Sequence, residues 1–516
     1  MELKQILLDE IPSFKASGEQ FLEGTMSKMD FKKISGGFGV YAHRDGKSFM
    51  IRLRILSGVL SKNQLKVVHE IATKYQVELI HLTTRQAIQF HGLSLDDICE
   101  VMEEGLSHNI YTRGAGGSYP RNVAMSPLSG VDPEEVFDVV PYAMAVNAYF
   151  LKHIITYHLP RKLKVSFSSS TKDASHATVQ DLGFVAVKQD GKEYFKVYAG
   201  GGLGRNPRKG IVCQELVEPK DVLFVVEALT KLYIDEGDYE NHGKARVRHI
   251  VEHMGEEAFI TLYKKYLDEA YAVEGLELNI AKSKTSKIGE SQATNHPAII
   301  PQKQEGLYTY YLHPIGGGLS NEILGKIIEV IEPMEDIQAR LSMSEGMYLL
   351  NLTGKEIQIV ADELDVSNSF THLERSRSCI GVPICQMGIL NSQKTLKAII
   401  ERFREKEDVK DILPSIYISG CPNSCGVHQI GRIGLVGKKK KLHDAITEMF
   451  DVYIDGNCEE GYTQLGENYG DIPAEDVPEC LYQLAQLVKD SEIDFTSYIR
   501  KEKEKVKTLI ASYSEA

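Results

Sequence analysis

The chain is short of what several large classes of protein require. No stretch approaches the ~18 continuous apolar residues of a membrane-spanning helix. The N-terminal MELKQILLDEIPSFKASGEQ carries acids and no apolar core of a secretory signal, so a soluble, cytoplasmic protein is expected. A basic excess is missing too: 59 Lys and Arg against 72 Asp and Glu leave a net charge of −13, which argues against coating nucleic acid or anionic lipid. Cysteine is scarce, with 8 in 516 residues. That is too few for a disulfide scaffold, and disulfides do not persist in a reducing compartment. Neither glycine-rich run has the Walker pattern or a GxGxxG entering a helix, so nucleotide binding is not expected. No flavin or nicotinamide module is visible, and a redox reaction here would need an external electron donor.

What is present fits roughly three domains of ~150 residues each, with an ordinary 42% hydrophobic content. Residues 35–95 read as strand, strand, amphipathic helix (Asn63 to Tyr75), strand, and residues 307–352 read in the same order. Gly58-Val59-Leu60-Ser61 overlays Gly317-Gly318-Leu319-Ser320, which puts the helix Gln64 to Tyr75 over Ile323 to Met334. One unit is used twice. Thr84-Arg85-Gln86 then falls on Met343-Ser344-Glu345, so only the first copy is equipped for anion chemistry. Between the copies, helices are expected near Pro133 to Tyr157 and Pro219 to Asp235, with strands near Leu163 to Ser168, Leu182 to Gln189 and Phe195 to Tyr198. Lys282 to Glu305 reads as a polar surface linker. The chain thus divides into an extension with the first copy (1–95), a mixed α/β segment carrying basic residues (96–299), the second copy (300–365) and an α/β region holding the clustered cysteines (366–516).

The clustered cysteines read Cys379-Ile-Gly-Val-Pro-Ile-Cys385 and Cys421-Pro-Asn-Ser-Cys425. The spacings C-x5-C and C-x3-C give the four thiolates that a cubane [4Fe–4S] cluster requires. Gly381, Pro383, Gly420, Pro422 and Gly426 permit tight turns that aim amides at sulfur. A structural zinc is the alternative, and C-x5-C fits it poorly. Cys99, Cys213, Cys458 and Cys480 stand alone and read as small buried residues.

Cations gather in four short segments: Arg52 and Arg54 on a strand, Arg85 in HLTTRQAIQFHG, Arg113 and Arg121 in YTRGAGGSYPRN, and Arg161-Lys162-Leu163-Lys164. Lys162 and Lys164 lie two apart at the start of a strand and project from one face. Such a pair grips an oxyanion and supplies protons. GAGGSYPRN and Gly200-Gly201-Gly202-Leu203-Gly204-Arg205 let backbone approach a flat or charged ligand, although glycine clusters are more often plain loops.

Together the TTRQxxQxHG strand-turn, RNVAMSPLSG, LPRK and GCPNSC with its upstream C-x5-C resemble the siroheme-dependent nitrite and sulfite reductases over nearly the whole chain. The resemblance implies an α+β (mixed α/β) fold of three domains, with a duplicated ferredoxin-like (parachute) half-domain pair around one siroheme. It also implies a [4Fe–4S] cluster on Cys379, Cys385, Cys421 and Cys425, with Cys425 the thiolate shared with siroheme iron. Substrate-side residues carry over to Arg52, Arg121, Lys162 and Lys164. Cofactor carboxylate partners carry over to Arg85, Gln89 and Arg161, and Arg113, Asn122, Arg205 and Asn423 are counted as further partners.

The implied reaction is a six-electron reduction, of sulfite to sulfide or of nitrite to ammonia. Arginine fixes two oxygens of the anion, and a desolvated lysine releases protons. Lys164 favours sulfite, since plant-type nitrite reductases tend to carry Asn there. Two positions depart from the enteric sulfite-reductase pattern: His81 replaces an arginine, and Met125 follows RNVA. The donor implied is ferredoxin, or a separate flavoprotein. Lys438-Lys439-Lys440-Lys441 reads either as a docking site for it or as a solvated hairpin tip. A non-catalytic iron–sulfur electron-transfer protein is the alternative from another class, and it would have no use for the distal cations.

Overall fold

The computed structural model describes residues 3–281, 285–292, 294–406, 408–442 and 445–514. Four five-stranded sheets make up its framework. The first runs Val40–Ala42, Phe49–Leu53, Ile88–Leu93, Ile80–Leu82 and Gly318–Leu319; the second runs Ile299–Pro301, Leu307–Leu312, Met347–Thr353, Gln338–Leu341 and Val59–Ser61. Each copy of the duplicated unit gives one short strand to the other's sheet. Val59–Ser61 pairs with Gln338–Arg340, and Gly318–Leu319 pairs with Ile80 and His81.

The exchanged strands lead into equivalent helices, Lys62–Lys74 and Asn321–Ile331, capped by Ser61 and Ser320. Ser61 and Gln64 close a full capping box, and Leu65, Val68, Ile71 and Ala72 bury one face at helical spacing. Both copies share one hydrophobic core, from Leu60 and Val68 to Ile327 and Leu349. The helices Ile11–Leu22, Lys28–Gly37 and Leu95–Ser107 pack into it through Ile11, Phe14, Phe31, Ile98 and Val101.

The other two sheets form a second repeated unit that the sequence reading did not find. One orders Ala124–Met125, Val165–Ser168, Leu182–Gln189, Lys192–Ala199 and Ile211–Val217; the other orders Arg377–Ser378, Ile416–Ser419, Ile433–Leu442, Ala445–Ile454 and Glu467–Pro473. In each, the first two pairings are parallel and the last two antiparallel. The loop after the second strand ends in a left-handed residue, His176 (φ 57°) or Val427 (φ 52°), and then one 3₁₀ turn. Gly183 and Gly434 follow, and in each a Cβ would meet the carbonyl oxygen of Ala177 or His428 at 2.0 Å. Superposing these loops sets Cys421 and Cys425 over Ser170 and Ala174.

Several expected elements shift. The helix expected from Pro133 is Val140–Lys152, because Ser129 and Asp138 hold residues 129–139 in a turn and Pro141 opens the helix. The end of the expected linker is the edge strand Ile299–Pro301, where Pro301 costs no interior ladder bond. Lys282 itself lies outside the described residues. The run Lys438–Lys441 lies within a strand that pairs as a hairpin with Ala445–Ile454, and three of its lysines have acidic neighbours: Lys438 pairs with Asp451 and Asp471, Lys439 with Glu448 and Lys440 with Asp471. Cys99, Cys213, Cys458 and Cys480 are buried. Among the described residues no helix is long and apolar enough to cross a membrane.

Candidate active site

A single cavity opens between the first sheet, the basic α/β unit and the cysteine-bearing unit. It encloses about 1900 Å³ of empty space counted out to open solvent. Arg52, Arg85, Gln89, Arg121, Asn122, Arg161, Lys162, Lys164, Cys379, Cys385, Asn423 and Cys425 all line it. Residues scattered over nearly four hundred positions therefore meet on one wall system.

The cations on this wall fall into two groups by what they touch. Arg52 is fixed by the Ala115 carbonyl at 2.7 Å, and with its amide oxygen turned toward Arg52, Gln89 accepts from Nη2 and Nε at 2.6 and 2.9 Å. Arg121 donates to the carbonyls of Gly116 and Gly117 at 2.6 and 2.8 Å. Both guanidinium groups are held by neutral acceptors, and neither pairs with a carboxylate among the described residues. Lys162 and Lys164 are different: among the described residues neither ammonium has a hydrogen-bond acceptor or an ion-pair partner. Burial, then Lys164 and Arg246, hold Lys162 well below the usual lysine range. Burial, then Arg85 and Arg246, bring Lys164 down to about 7.

This arrangement needs an anion to be stable. Unpaired charges in a low-dielectric site cost several kcal/mol each, and an oxyanion or carboxylate beside the lysines would restore their protons. Burial alone would raise the Tyr41 phenol, but Arg121 and Arg52 bring it below its ordinary value. His81, across from Gln89, is held down to about 4 by burial and by Arg52, and is neutral.

Behind this wall stand residues that position it. Arg54 is fully buried and donates to the carbonyls of Pro120 and Arg121 and to Asn147, which shapes the loop that presents Arg121. Asp181 accepts from Arg246 Nε and Nη2 at 2.8 and 2.7 Å and from the Lys164 amide at 2.8 Å. Neither Asp181 nor Arg246 was singled out from the sequence. Both sit outside the recognisable motifs and act only through the residues they hold.

Of the expected cofactor partners, two on the wall also hold protein groups and two lie off it. Arg85 lines the cavity, but its three nitrogens donate to Asn122 O, Gln180 Oε1 and Val165 O. Asn122 is saturated by Ile55, Arg85 and Gln86 carbonyls and the Ser57 amide. Both join the first copy to the basic unit. Arg113 pairs with Glu10 at 3.0 Å and lies against the Phe38 and Tyr119 rings, away from the cavity. Arg205 is solvent-exposed and off the cavity wall. Arg161 and Asn423 remain on the wall. Met125 is wholly buried in the core, so its departure from the motif does not reach the site.

Cys379 and Cys385 sit on one loop and Cys421 and Cys425 on another, tied together by Ile389 and Leu390 amides to the Gly420 carbonyl. The Gly420 amide donates to Cys379 Sγ at 3.1 Å. Thr84, beside Arg85, donates to the Cys425 carbonyl at 2.7 Å and so locks the basic strand-turn onto the cysteine loop. Burial, then the facing Cys425, push Cys379 up to about 12, and burial, then Asn423 and Cys425, leave Cys421 at about 11. Thiolates so placed need several positive charges among them. Among the described residues no three His, Cys, Asp or Glu side chains converge tightly enough to chelate one ion. A cubane spreads its four thiolates more widely than a lone tetrahedral zinc, with its short Zn–S bonds, can. A cavity of this size, lined by cations without acceptors and by Cys379, Cys385 and Cys425 with Cys421 behind them, fits a polycarboxylate macrocycle seated beside a cluster.

The ferredoxin-like half-domain model of nitrite/sulfite reductases matches residues 41–107, and the nitrite and sulphite reductase 4Fe-4S domain model matches residues 116–271. The chain belongs to the siroheme and [4Fe–4S] nitrite/sulfite reductase family. The cofactors of this reductase are siroheme and a [4Fe–4S] cluster. It is similar to the ferredoxin–nitrite reductase of Synechococcus elongatus, 28% identical over 84% of this chain and 85% of that one. It is also similar to sulfite reductase [ferredoxin] 1 of Mycolicibacterium paratuberculosis, 26% identical over 83% and 75%. The solved structure of the Mycobacterium tuberculosis NirA protein shares the fold, with a TM-score of 0.81 at 22% identity, covering 97% of this chain and 95% of that one.

The reductase also carries a mate of its own site. Ser342, Met343 and Ser344, the counterparts of Thr83, Thr84 and Arg85, line a second cavity with Asp173, His176, Arg377 and Arg432. It encloses about 930 Å³ by the same measure, and it has Ser344 in the place of Arg85 and Ala174 in the place of Cys425.

Proposed function

We propose that this chain reduces sulfite to sulfide with six electrons drawn one at a time from an external protein donor, a ferredoxin being the first candidate. The observation that carries this reading is the pair Lys162 and Lys164, both half-buried, both without an acceptor among the described residues, lining one cavity with Arg52 and Arg121. Sulfite is a dianion with three oxygens. Two fixed guanidinium groups and two ammonium groups match its charge and its need for protons better than they match a monoanion with two oxygens.

Cys379, Cys385, Cys421 and Cys425 would hold the cluster, Cys425 would be shared with siroheme, and Arg161 and Asn423 would meet its carboxylates. When bound, the two groups supply a site for the anion's central atom and a store of electrons. The chain's own residues do the rest. Arg52 and Arg121, pinned by backbone carbonyls, orient the anion without rotating. Lys162 and Lys164 give protons to departing oxygens, because desolvation makes their ammonium forms ready acids.

Nitrite is the second reading, and similarity to relatives from Synechococcus elongatus and Arabidopsis thaliana, both ferredoxin–nitrite reductases, favours it. Steady-state kcat/KM for the two anions with one reduced donor separates them. Sulfite is expected to be preferred by at least tenfold, and Lys164→Asn to shift the ratio toward nitrite. Nitrite preferred by orders of magnitude in the parent enzyme would overturn the sulfite reading.

A further inference from the structure

Reduction of either anion consumes far more protons than the cavity holds. Sulfite, six electrons and eight protons give hydrogen sulfide and three waters; nitrite, six electrons and eight protons give ammonium and two waters. Lys162 and Lys164 supply one proton each before they must be recharged. Both are only partly exposed, and the cations and engaged carbonyls around them hold no spare acid. A path from solvent is required.

The first sheet carries such a path. Asp45 is exposed, and its Oδ2 accepts from the Ser48 hydroxyl at 2.8 Å. Ser48 Oγ lies 2.9 Å from His43 Nδ1, and His43 Nε2 lies 3.3 Å from His91 Nδ1. His43 and His91 are 9% and 6% exposed, and both line the cavity. Among the described residues His91 Nε2 has no protein partner. His91 stands two residues beyond Gln89, the acceptor that fixes Arg52, so the row ends beside the oxyanion wall.

We propose that Asp45–Ser48–His43–His91 is the proton-entry relay of this reductase, a role that rests on the six-electron reading above. In the inward setting Ser48 donates to His43 Nδ1, His43 Nε2–H donates to His91 Nδ1, and His91 Nε2–H faces the cavity. A departing oxygen, or a lysine that has just given up its proton, takes the proton from His91 Nε2. His91 Nδ1 takes one from His43, His43 Nδ1 takes one from Ser48, and Ser48 takes one from a hydronium ion of bulk solvent, directly or through an Asp45 carboxyl that hydronium has just protonated. One proton has entered, no other bond has changed, and every hydrogen now points outward. Reorientation of the hydroxyl and rings resets the row.

The relay needs imidazoles that are neutral, so that each ring donates with one nitrogen and accepts with the other. The groups facing them favour that state. Burial, then His81, His43 and Arg52, hold His91 well below the usual histidine range. Burial lowers His43, and the exposed Asp45 only partly opposes it. The loop 43–48 is anchored to the cysteine-bearing unit by the Arg44 amide to Ile384 O and by Arg44 Nη2 to Gly388 O, so the row is held in place and not left to a mobile turn.

The test compares the parent holoenzyme with His43→Phe and Ser48→Ala at saturating donor, each with its visible spectrum, in water and in deuterium oxide. Both variants are expected to keep the parent's spectrum and KM. Turnover in His43→Phe is expected to fall at least tenfold, with a larger solvent isotope effect. A further variant, His43→Gly, should regain activity in proportion to added imidazole. Ser48→Ala, at a half-buried site that tolerates the change, should lose several-fold and decides the matter if the His43 variants do not fold. Parental turnover with an unchanged isotope effect in either folded variant overturns the relay. A parent holoenzyme that reduces neither anion overturns the functional reading instead, and the relay with it.

Discussion

Lys164 shows how one residue can be read by sequence only in part. Its place two residues after Lys162 is plain from the chain, but its lowered acidity comes from burial among Arg85 and Arg246, which are distant in sequence. Burial, Arg85 and Arg246 bring the group to about 7 before an anion is met, so anion binding above that pH takes up a proton. Affinity then weakens as pH rises, approaching tenfold per unit, and levels off below 7. Nitrite does not titrate in this range and is the clean probe. A spectroscopic titration of the holoenzyme from pH 6 to 9 is expected to show that slope, flattened in Lys164→Met; equal slopes in both would remove Lys164 from the anion site. At the same scale, Arg113 and Arg205 show where motif reading stops. An arginine near a glycine-rich loop looks alike whether it meets a ligand, a glutamate with two aromatic rings, or solvent. The four cysteines were legible because their spacing is itself the chemistry.

The elements repeat that division. The duplicated half-domains were visible because Gly-x-Leu-Ser and a helix of like periodicity recur, and those residues build the exchanged strands Val59–Ser61 and Gly318–Leu319. The second duplication left almost no identical residues, only matching glycines and left-handed turns, so its likeness lies in backbone geometry. Gly434 carries that geometry at the cysteine loop. A Cβ there would stand 2.0 Å from the His428 oxygen, and the loop bearing Cys421 and Cys425 would have to move. Gly434→Ala is expected to cost about 1–3 kcal/mol and to lower cluster iron per chain. A variant with parental melting temperature and iron content would show that the loop is not held there. The same logic accounts for the misplaced helix start near residue 133, where side-chain hydrogen bonds from Ser129 and Asp138 override helical propensity.

Across the whole molecule, two pseudo-equivalent cavities exist, and only one brings together cations from the first copy and thiols from the last unit. The other has Ser344 for Arg85 and Ala174 for Cys425. Mixed α/β character and the halves' duplication were readable in advance. The reciprocal strand exchange and the positioning roles of Arg54, Asp181 and Arg246 were not, since they depend on contacts between segments far apart in the chain. The acidic surface follows the same plan: net charge is −13, yet the cationic side chains at the site point inward. The account's central claim is that the thiols of Cys379, Cys385, Cys421 and Cys425 hold a cluster beside an iron tetrapyrrole. Anaerobic purification followed by visible spectroscopy and metal analysis tests it most directly. The expected result is an intense tetrapyrrole spectrum with about five irons per chain, four of them from the cubane. A colourless protein from cells that make siroheme, or one holding zinc and no iron, would contradict it.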